Sequence, residues 1–361
     1  MKIVLATGIY PPQIGGPATY VRALAERLAA AGHDVRVLTF HPGGPVEADP
    51  WPVARVPTSG GPLARWRRYA STLRRDAADA DVVYAFSSVS AGVPLVLSRV
   101  KAPVRVLRLG GDFLWERATD RGSRTTLAEW YDARPKTRWL MQRLLLAFDH
   151  IVFSTAFQRA LYERHYVALP ETSVIENALP AGTPVAHAAR SPLRLLFLGR
   201  FVPFKNLPAL LAAMQHLPEA TLTLAGDGPQ QTELSRLIHA LGLGGRVHLR
   251  AAVSGAAKGA LFAEHDLLVI PSLTEISPNS ALEARAAGLP VLLTEETGLS
   301  ERLTEGMIVR ALRDPPAIAD AVRSIAADYA PAARAASAPP AARGWDVVAE
   351  EHLALFSRLT S

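Results

Sequence analysis

No cysteine occurs anywhere in the 361 residues. Disulfides, thiolate nucleophiles and cysteine-ligated metals are excluded on that ground, which is compatible with the cytoplasm. Long hydrophobic runs are missing too. No uninterrupted apolar stretch reaches membrane-spanning length, and the apolar start over residues 1–12 is too short, and lacks the small-residue cleavage site, for a secretory signal. It reads instead as a buried first strand. The ten histidines are scattered without H-E-x-x-H or related spacing, so no metal site is expected. The G-x-G-x-x-G fingerprint is absent from the first strand–helix turn, which disfavours a nicotinamide-dependent dehydrogenase.

What is present is an ordinary globular composition, 49% hydrophobic and 20% charged, in a chain long enough for two domains. The formal charge is +6, a balance that suits nucleic acid, anionic lipid or phosphorylated small molecules. Much of the arginine lies in the first half. It forms one cluster at 65–75 around Trp66, and a second in which Arg117, Arg121, Arg124, Arg134, Lys136, Arg138 and Arg143 alternate with Trp115, Trp130 and Trp139. Basic residues interleaved with tryptophan suit a membrane interface as well as a solvated helix face.

Apolar runs alternate with helical patterns throughout. Strands are expected at 3–6, 35–40, 81–86, 104–109, 151–154 and 173–175, with a helix over 18–31. The theme restarts at 193, with strands at 195–198, 221–224, 247–249 and 265–270 between helices at 208–215 and 230–241. Near-continuous apolar strands alternating with helices imply α/β architecture with parallel, doubly wound sheets. Residues 179–184 read as a linker, 330–343 as loose helix or linker, and 345–359 as a final helix. The expected division is 1–185, 186–345 and the closing helix 346–361.

The richest stretch runs from Pro271 to Val291. Glu275 lies in the loop after a buried strand; Glu283, eight positions on, lies inside the helix that Pro278 opens and Gly288 closes. Both carboxylates can face one ligand over the helix N-terminus, where free N–H groups and the dipole attract phosphate, and each can accept hydrogen bonds from paired sugar hydroxyls. Arg200 and Lys205 follow another buried strand and project from its carboxyl end, where open α/β sheets bind ligands; two fixed cations there could hold a diphosphate. Gly15-Gly16 would let backbone N–H groups approach a phosphate or sugar closely.

These elements together resemble glycosyltransferase family 4, whose members have the GT-B fold: two Rossmann-like doubly wound domains facing a cleft, with a C-terminal helix crossing back to the N-terminal domain. Glu275 and Glu283 look like the family's E-x7-E motif, Gly199-Arg200 with Lys205-Asn206 like its G-R-x4-K-N element, Gly226-Asp227-Gly228-Pro229 like its G-x-G-P turn, and Gly15-Gly16 like its N-terminal glycine loop. Ile175-Glu176-Asn177-Ala178 resembles its interdomain I-x-N-G with alanine last. The resemblance implies a retaining glycosyltransferase moving a sugar from a nucleotide diphosphate sugar, UDP- or GDP-linked, to a glycan, lipid-linked or small-molecule acceptor. It implies no cofactor and no nucleic-acid partner. With no metal-ligand spacing in the sequence, a metal-independent mechanism is expected, in which positive side chains do the leaving-group work. Glu283 would hold the ribose and Glu275 the sugar ring. Arg200 and Lys205 would neutralise the leaving diphosphate, and Ser277, Pro278, Asn279 and Ser280 would supply the helix N-terminus, with Gly226 near the nucleotide. Base recognition would use backbone near 251–254.

Many members also carry a histidine after the fourth strand. Here Asp112 stands in that region, available to orient donor or acceptor or to act as a base. Competing readings are a GT-B nucleotide-sugar epimerase and a non-catalytic nucleotide-sugar-binding protein. The expected location is cytoplasmic, with docking on the inner membrane face as an option.

Overall fold

A computed structural model describes residues 1–101, 103–134, 136–179, 184–338 and 343–361. The expected linker therefore lies mostly outside the described residues, as do four positions before the final helix. The chain folds into two compact units: unit 1 comprises Met1–Leu114, Arg134–Ala178 and Arg343–Ser361, and unit 2 comprises Trp115–Ala133 and Leu179–Ala342.

Unit 1 holds a seven-stranded sheet: β1 Lys2–Thr7, β2 Asp34–His41, β3 Val53–Pro57, β4 Val82–Phe86, β5 Val104–Leu109, β6 His150–Phe153 and β7 Glu171–Val174, in the order β3-β2-β1-β4-β5-β6-β7. All pairs are parallel. The central strands are buried on both faces, which is why they read as apolar runs without alternation. β3 was not expected: it is a half-buried edge strand of five residues ending in proline, too short and too mixed to stand out.

The last helix, Trp345–Thr360, completes this unit, burying Val348, Leu355 and Phe356 against Tyr20, Tyr84 and the helix Gly16–Ala30. Each such side chain contributes about 1.5–3 kcal/mol. His352, fully buried, places Nδ1 2.6 Å from the Val348 carbonyl and Nε2 3.0 Å from the Tyr84 hydroxyl. A carbonyl only accepts, so Nδ1 carries the proton and Tyr84 donates to Nε2. Burial, reinforced by Arg108, pushes the imidazole down to about 3 and keeps it neutral.

Unit 2 holds six parallel strands: β8 Leu193–Leu198, β9 Ala220–Ala225, β10 Val247–Arg250, β11 Leu267–Ile270, β12 Val291–Thr294 and β13 Ile308–Arg310, ordered β10-β9-β8-β11-β12-β13. From β8 the chain winds outward one way through β9 and β10, then returns to the other side of β8 with β11. That reversal puts the carboxyl ends of β8 and β11 side by side, at the switch point where open α/β sheets bind ligands. β12 and β13 were not expected; β13 is three residues long and only partly buried.

Candidate functional site

Two loops meet at the unit 2 switch point. The first leaves β8 through Gly199-Arg200-Phe201 and makes a 3-10 turn over Pro203–Lys205. Phe201 is fully buried and its N–H donates to the Asp227 carbonyl at 2.6 Å, while its own carbonyl accepts from Gln230 N–H. The turn after β9 is thereby locked onto the turn after β8. A Cβ at Gly226 would lie 1.9 Å from the Gly199 carbonyl oxygen, and one at Gly228 2.5 Å from that of Phe201. The two glycines are demanded by backbone meeting backbone.

Asn206 then adopts a left-handed conformation at φ 56, with its side chain fully buried. Its Nδ2 donates to the carbonyls of Pro271, at the end of β11, and Arg313. Leu273 N–H in turn donates to the Phe204 carbonyl at 2.8 Å. The loop after β11 is therefore sewn to the loop after β8, which brings Lys205 and Glu275 together: Lys205 Nζ lies 2.5 Å from Glu275 Oε1. The Ser272 hydroxyl donates to the same oxygen at 2.5 Å, and the lysine ammonium also stands 5.0 Å from the Phe204 ring centroid. Glu275 itself is 5% exposed, and its backbone bridges to Glu296 and Gly298.

The helix Asn279–Ala286 follows, with Pro278 as N-cap and no side chain capping it. Ala281 N–H donates to the Pro278 carbonyl at 3.1 Å, and the dipole at this end of the helix favours an anion. Ser277 Oγ is buried there and lacks a hydrogen-bond partner among the described residues. Glu283, on the same helix, is gripped at both carboxylate oxygens by Lys258 Nζ, at 3.0 and 2.9 Å. Nothing in the sequence signals Lys258, a single lysine in the alanine-rich helix Ala256–Glu264. Arg200 is exposed and makes no side-chain hydrogen bond among the described residues.

Gly15, Gly16 and Asp112 belong to unit 1. Gly15 is the extended N-cap of the helix Gly16–Ala30, and a Cβ there would press on Ile9. Asp112 lies beyond β5, the fifth strand in chain order and not the fourth. It is buried, and Tyr162 OH donates to its Oδ2 at 2.7 Å. Among the described residues no group of three or more His, Cys, Asp or Glu side chains could hold a metal.

The arginine–tryptophan interleave divides. Trp115 is buried in unit 2, donating its indole N–H to the Thr125 carbonyl and packing on Phe204, and Trp130 is half-buried against Tyr131. Only Trp139 of this set is well exposed, in unit 1.

Residues 192–328 match the model described as "Glycosyl transferases group 1", and residues 15–178 match "Glycosyl transferase 4-like domain". A glycogen synthase of Mycobacterium tuberculosis is 30% identical, the alignment covering 94% of this chain and 89% of that protein. The chain belongs to glycosyltransferase family 4. A GDP-mannose-dependent alpha-(1-6)-phosphatidylinositol dimannoside mannosyltransferase of the same organism is 27% identical, covering 90% of this family member and 87% of the relative. Among solved structures, sucrose-phosphate synthase from Thermosynechococcus elongatus superposes with TM-score 0.81 at 22% identity over 99% of both chains. The Anabaena protein HepE, in complex with UDP and glucose, does so with TM-score 0.74 at 17% identity, over 99% of this chain and 100% of that one. At such identities these two establish the GT-B fold alone.

Proposed function

We propose that this glycosyltransferase moves a sugar from a UDP- or GDP-linked donor to a glycan, lipid-linked or small-molecule acceptor with retention of anomeric configuration, unit 2 taking the donor and unit 1 the acceptor. The observation that carries the donor reading is the Lys205–Glu275 pair beside an uncapped helix N-terminus at the unit 2 switch point. Arg200 and Lys205 supply positive charge where negative charge grows on the leaving diphosphate. The first turn at Ser277–Ser280 adds backbone donors, Gly226 lets the adjoining turn approach, and Glu275 faces the sugar ring. Glu283 takes the ribose hydroxyls, with Lys258 holding its carboxylate. With cations and a helix terminus in these roles, no metal is required of the mechanism. Gly15 and Gly16 shape the acceptor-side loop, and Asp112, engaged by Tyr162, orients that loop.

A thermal-shift screen against UDP, GDP, ADP and dTDP in excess EDTA tests this. One nucleotide at 100 times its Kd is expected to stabilise the fold by about 2.7 kcal/mol. Glu283→Ala should lose most of that shift while unfolding normally without ligand. No shift with any nucleotide, or a shift that needs magnesium or manganese, would remove the reading or its metal-free part.

The acceptor side is proposed to dock on an anionic membrane surface, the inner face in a cytoplasmic setting. Among the described residues no helix is long and apolar enough to cross one. Support comes from the helix Arg138–Leu145, which exposes Trp139 and Leu140, with Leu146 just beyond it. Arg143 lies 5.4 Å from the Trp139 ring centroid, and Val167 is pinned beside Gln142 by reciprocal hydrogen bonds. Each basic residue near an anionic surface is worth about 1 kcal/mol. Flotation with anionic vesicles should exceed that with neutral ones, fall with salt, and drop in a Trp139→Ser, Leu140→Ser variant. Equal recovery on both vesicle types would leave a solvated surface.

A further inference from the structure

Between β5 and β6 the chain leaves unit 1 after Leu114, contributes residues 115–133 to unit 2, and returns at Arg134. This excursion is ordered by its own means. The helix Leu127–Asp132 starts with a capping box in which Thr126 and Glu129 satisfy each other's backbone N–H groups.

Its contacts converge on the two loops of the candidate donor site. Arg124 Nη2 donates to Asn206 Oδ1 at 2.8 Å, so the buried amide next to Lys205 has both its donors and its acceptor engaged. Leu127 N–H donates to Thr274 Oγ1 at 2.9 Å, next to Glu275. Glu129 accepts from both Arg313 Nη atoms at 2.7 and 3.1 Å, and Arg313 reaches back to the Arg124 carbonyl. Trp115 packs on Phe204 with ring centroids 5.2 Å apart. Each loop is thus held one residue away from its charged member.

We propose that residues 115–133 form a strap that sets the register of Lys205 against Glu275, with Arg124 as the positioning residue acting through Asn206. This rests on the reading of Lys205 and Glu275 as donor-handling groups. A group that stabilises developing charge works only when held close to its productive position, and misplacement by about 1 Å can cost on the order of 10²-fold. Arg124 is itself not placed against the donor. Its loss should therefore appear in kcat and leave nucleotide affinity, which draws mainly on Glu283 and the helix N-terminus, nearly unchanged.

The test is a double-mutant cycle of Arg124→Ala and Lys205→Ala in the full chain, with Arg124→Lys as the conservative variant. Donor turnover is read as kcat and KM, UDP and GDP affinity by calorimetry, and folding by thermal unfolding. Arg124→Ala is expected to lower kcat about tenfold with the nucleotide Kd within about threefold, Arg124→Lys to recover part of the loss, and the Arg124 effect to vanish when Lys205 is already alanine. Additive losses in the double variant, or a lowered Tm with kcat unchanged, would overturn the strap as a positioning device. Full kcat in Lys205→Ala alone would sink the donor-site reading beneath it, a result distinct from either.

Discussion

Lys205→Ala is expected to lower kcat by on the order of 10²–10³-fold, the usual cost of removing one preorganised group from the site of charge development. Nucleotide affinity should fall much less, because Glu283 and the helix Asn279–Ala286 remain. The substitution also leaves Glu275, 5% exposed, with the Ser272 hydroxyl but without its cation. Some stability should be lost as well, since stripping the partner from a buried carboxylate is costly. Lys205→Arg keeps the charge and should restore part of kcat. Steady-state turnover beside a thermal unfolding curve separates the two effects. A folded Lys205→Ala protein with kcat within about threefold of the parent, less than removing even a single charge-assisted contact costs, would show that the Lys205–Glu275 pair is a structural clasp only.

Gly226→Ala should have the largest effect on stability. Its new methyl would occupy space 1.9 Å from the Gly199 carbonyl oxygen and 3.2 Å from the Phe201 ring, and Gly226 holds a positive φ of 155 that side chains rarely adopt. The nearest neighbour is backbone, which no rotamer change can move, and the Phe201 ring on the other side is fully buried. A cost of roughly 4 kcal/mol or more is expected, in the range reserved for overpacking combined with backbone strain. For a body of 150–250 residues that corresponds to a fall in Tm of roughly 8–16 °C. Gly244, whose added Cβ would meet nothing within 4 Å, is the control: Gly244→Ala should unfold near the parent. A Gly226→Ala protein matching that control in Tm would refute the interlocked-turn account.

The donor-site loops were legible because their chemistry is local. Glycines that only glycine can satisfy, a proline before a helix and charges just past apolar runs each leave a mark in neighbouring residues. Partnerships across the fold leave none. That Lys205 would close on Glu275, 70 positions away, or Lys258 on Glu283, depends on which strands become neighbours. The outer strands β3 and β13 were missed as well, being short and only partly buried, so that neither reads as an apolar run. The interleaving of tryptophan with basic residues over 115–143 suggested one surface, yet the chain passes from unit 2 to unit 1 within it, between Ala133 and Arg134. Trp115 therefore ends in a core and Trp139 in solvent, a sorting that composition does not encode. Asp112 was read as a strand-end carboxylate available to orient a substrate or act as a base, and only the fold reveals Tyr162, 50 positions on, donating to it.

Neither unit is a continuous stretch of chain, and this sets an order on synthesis. A ribosome delivers residues from the first onward, so β1 to β7 emerge well before the helix that covers Tyr20 and Tyr84. The Tyr84 hydroxyl waits 268 residues for His352. The excursion 115–133 is likewise made early and cannot dock until Asn206, Thr274 and Arg313 exist. Throughout that interval the nascent first sheet presents the apolar face that Val348 and Phe356 later cover. It is then a natural client for chaperones that shield hydrophobic surface, and arrest of translation anywhere between 180 and 350 would strand the product in that sticky, half-built state.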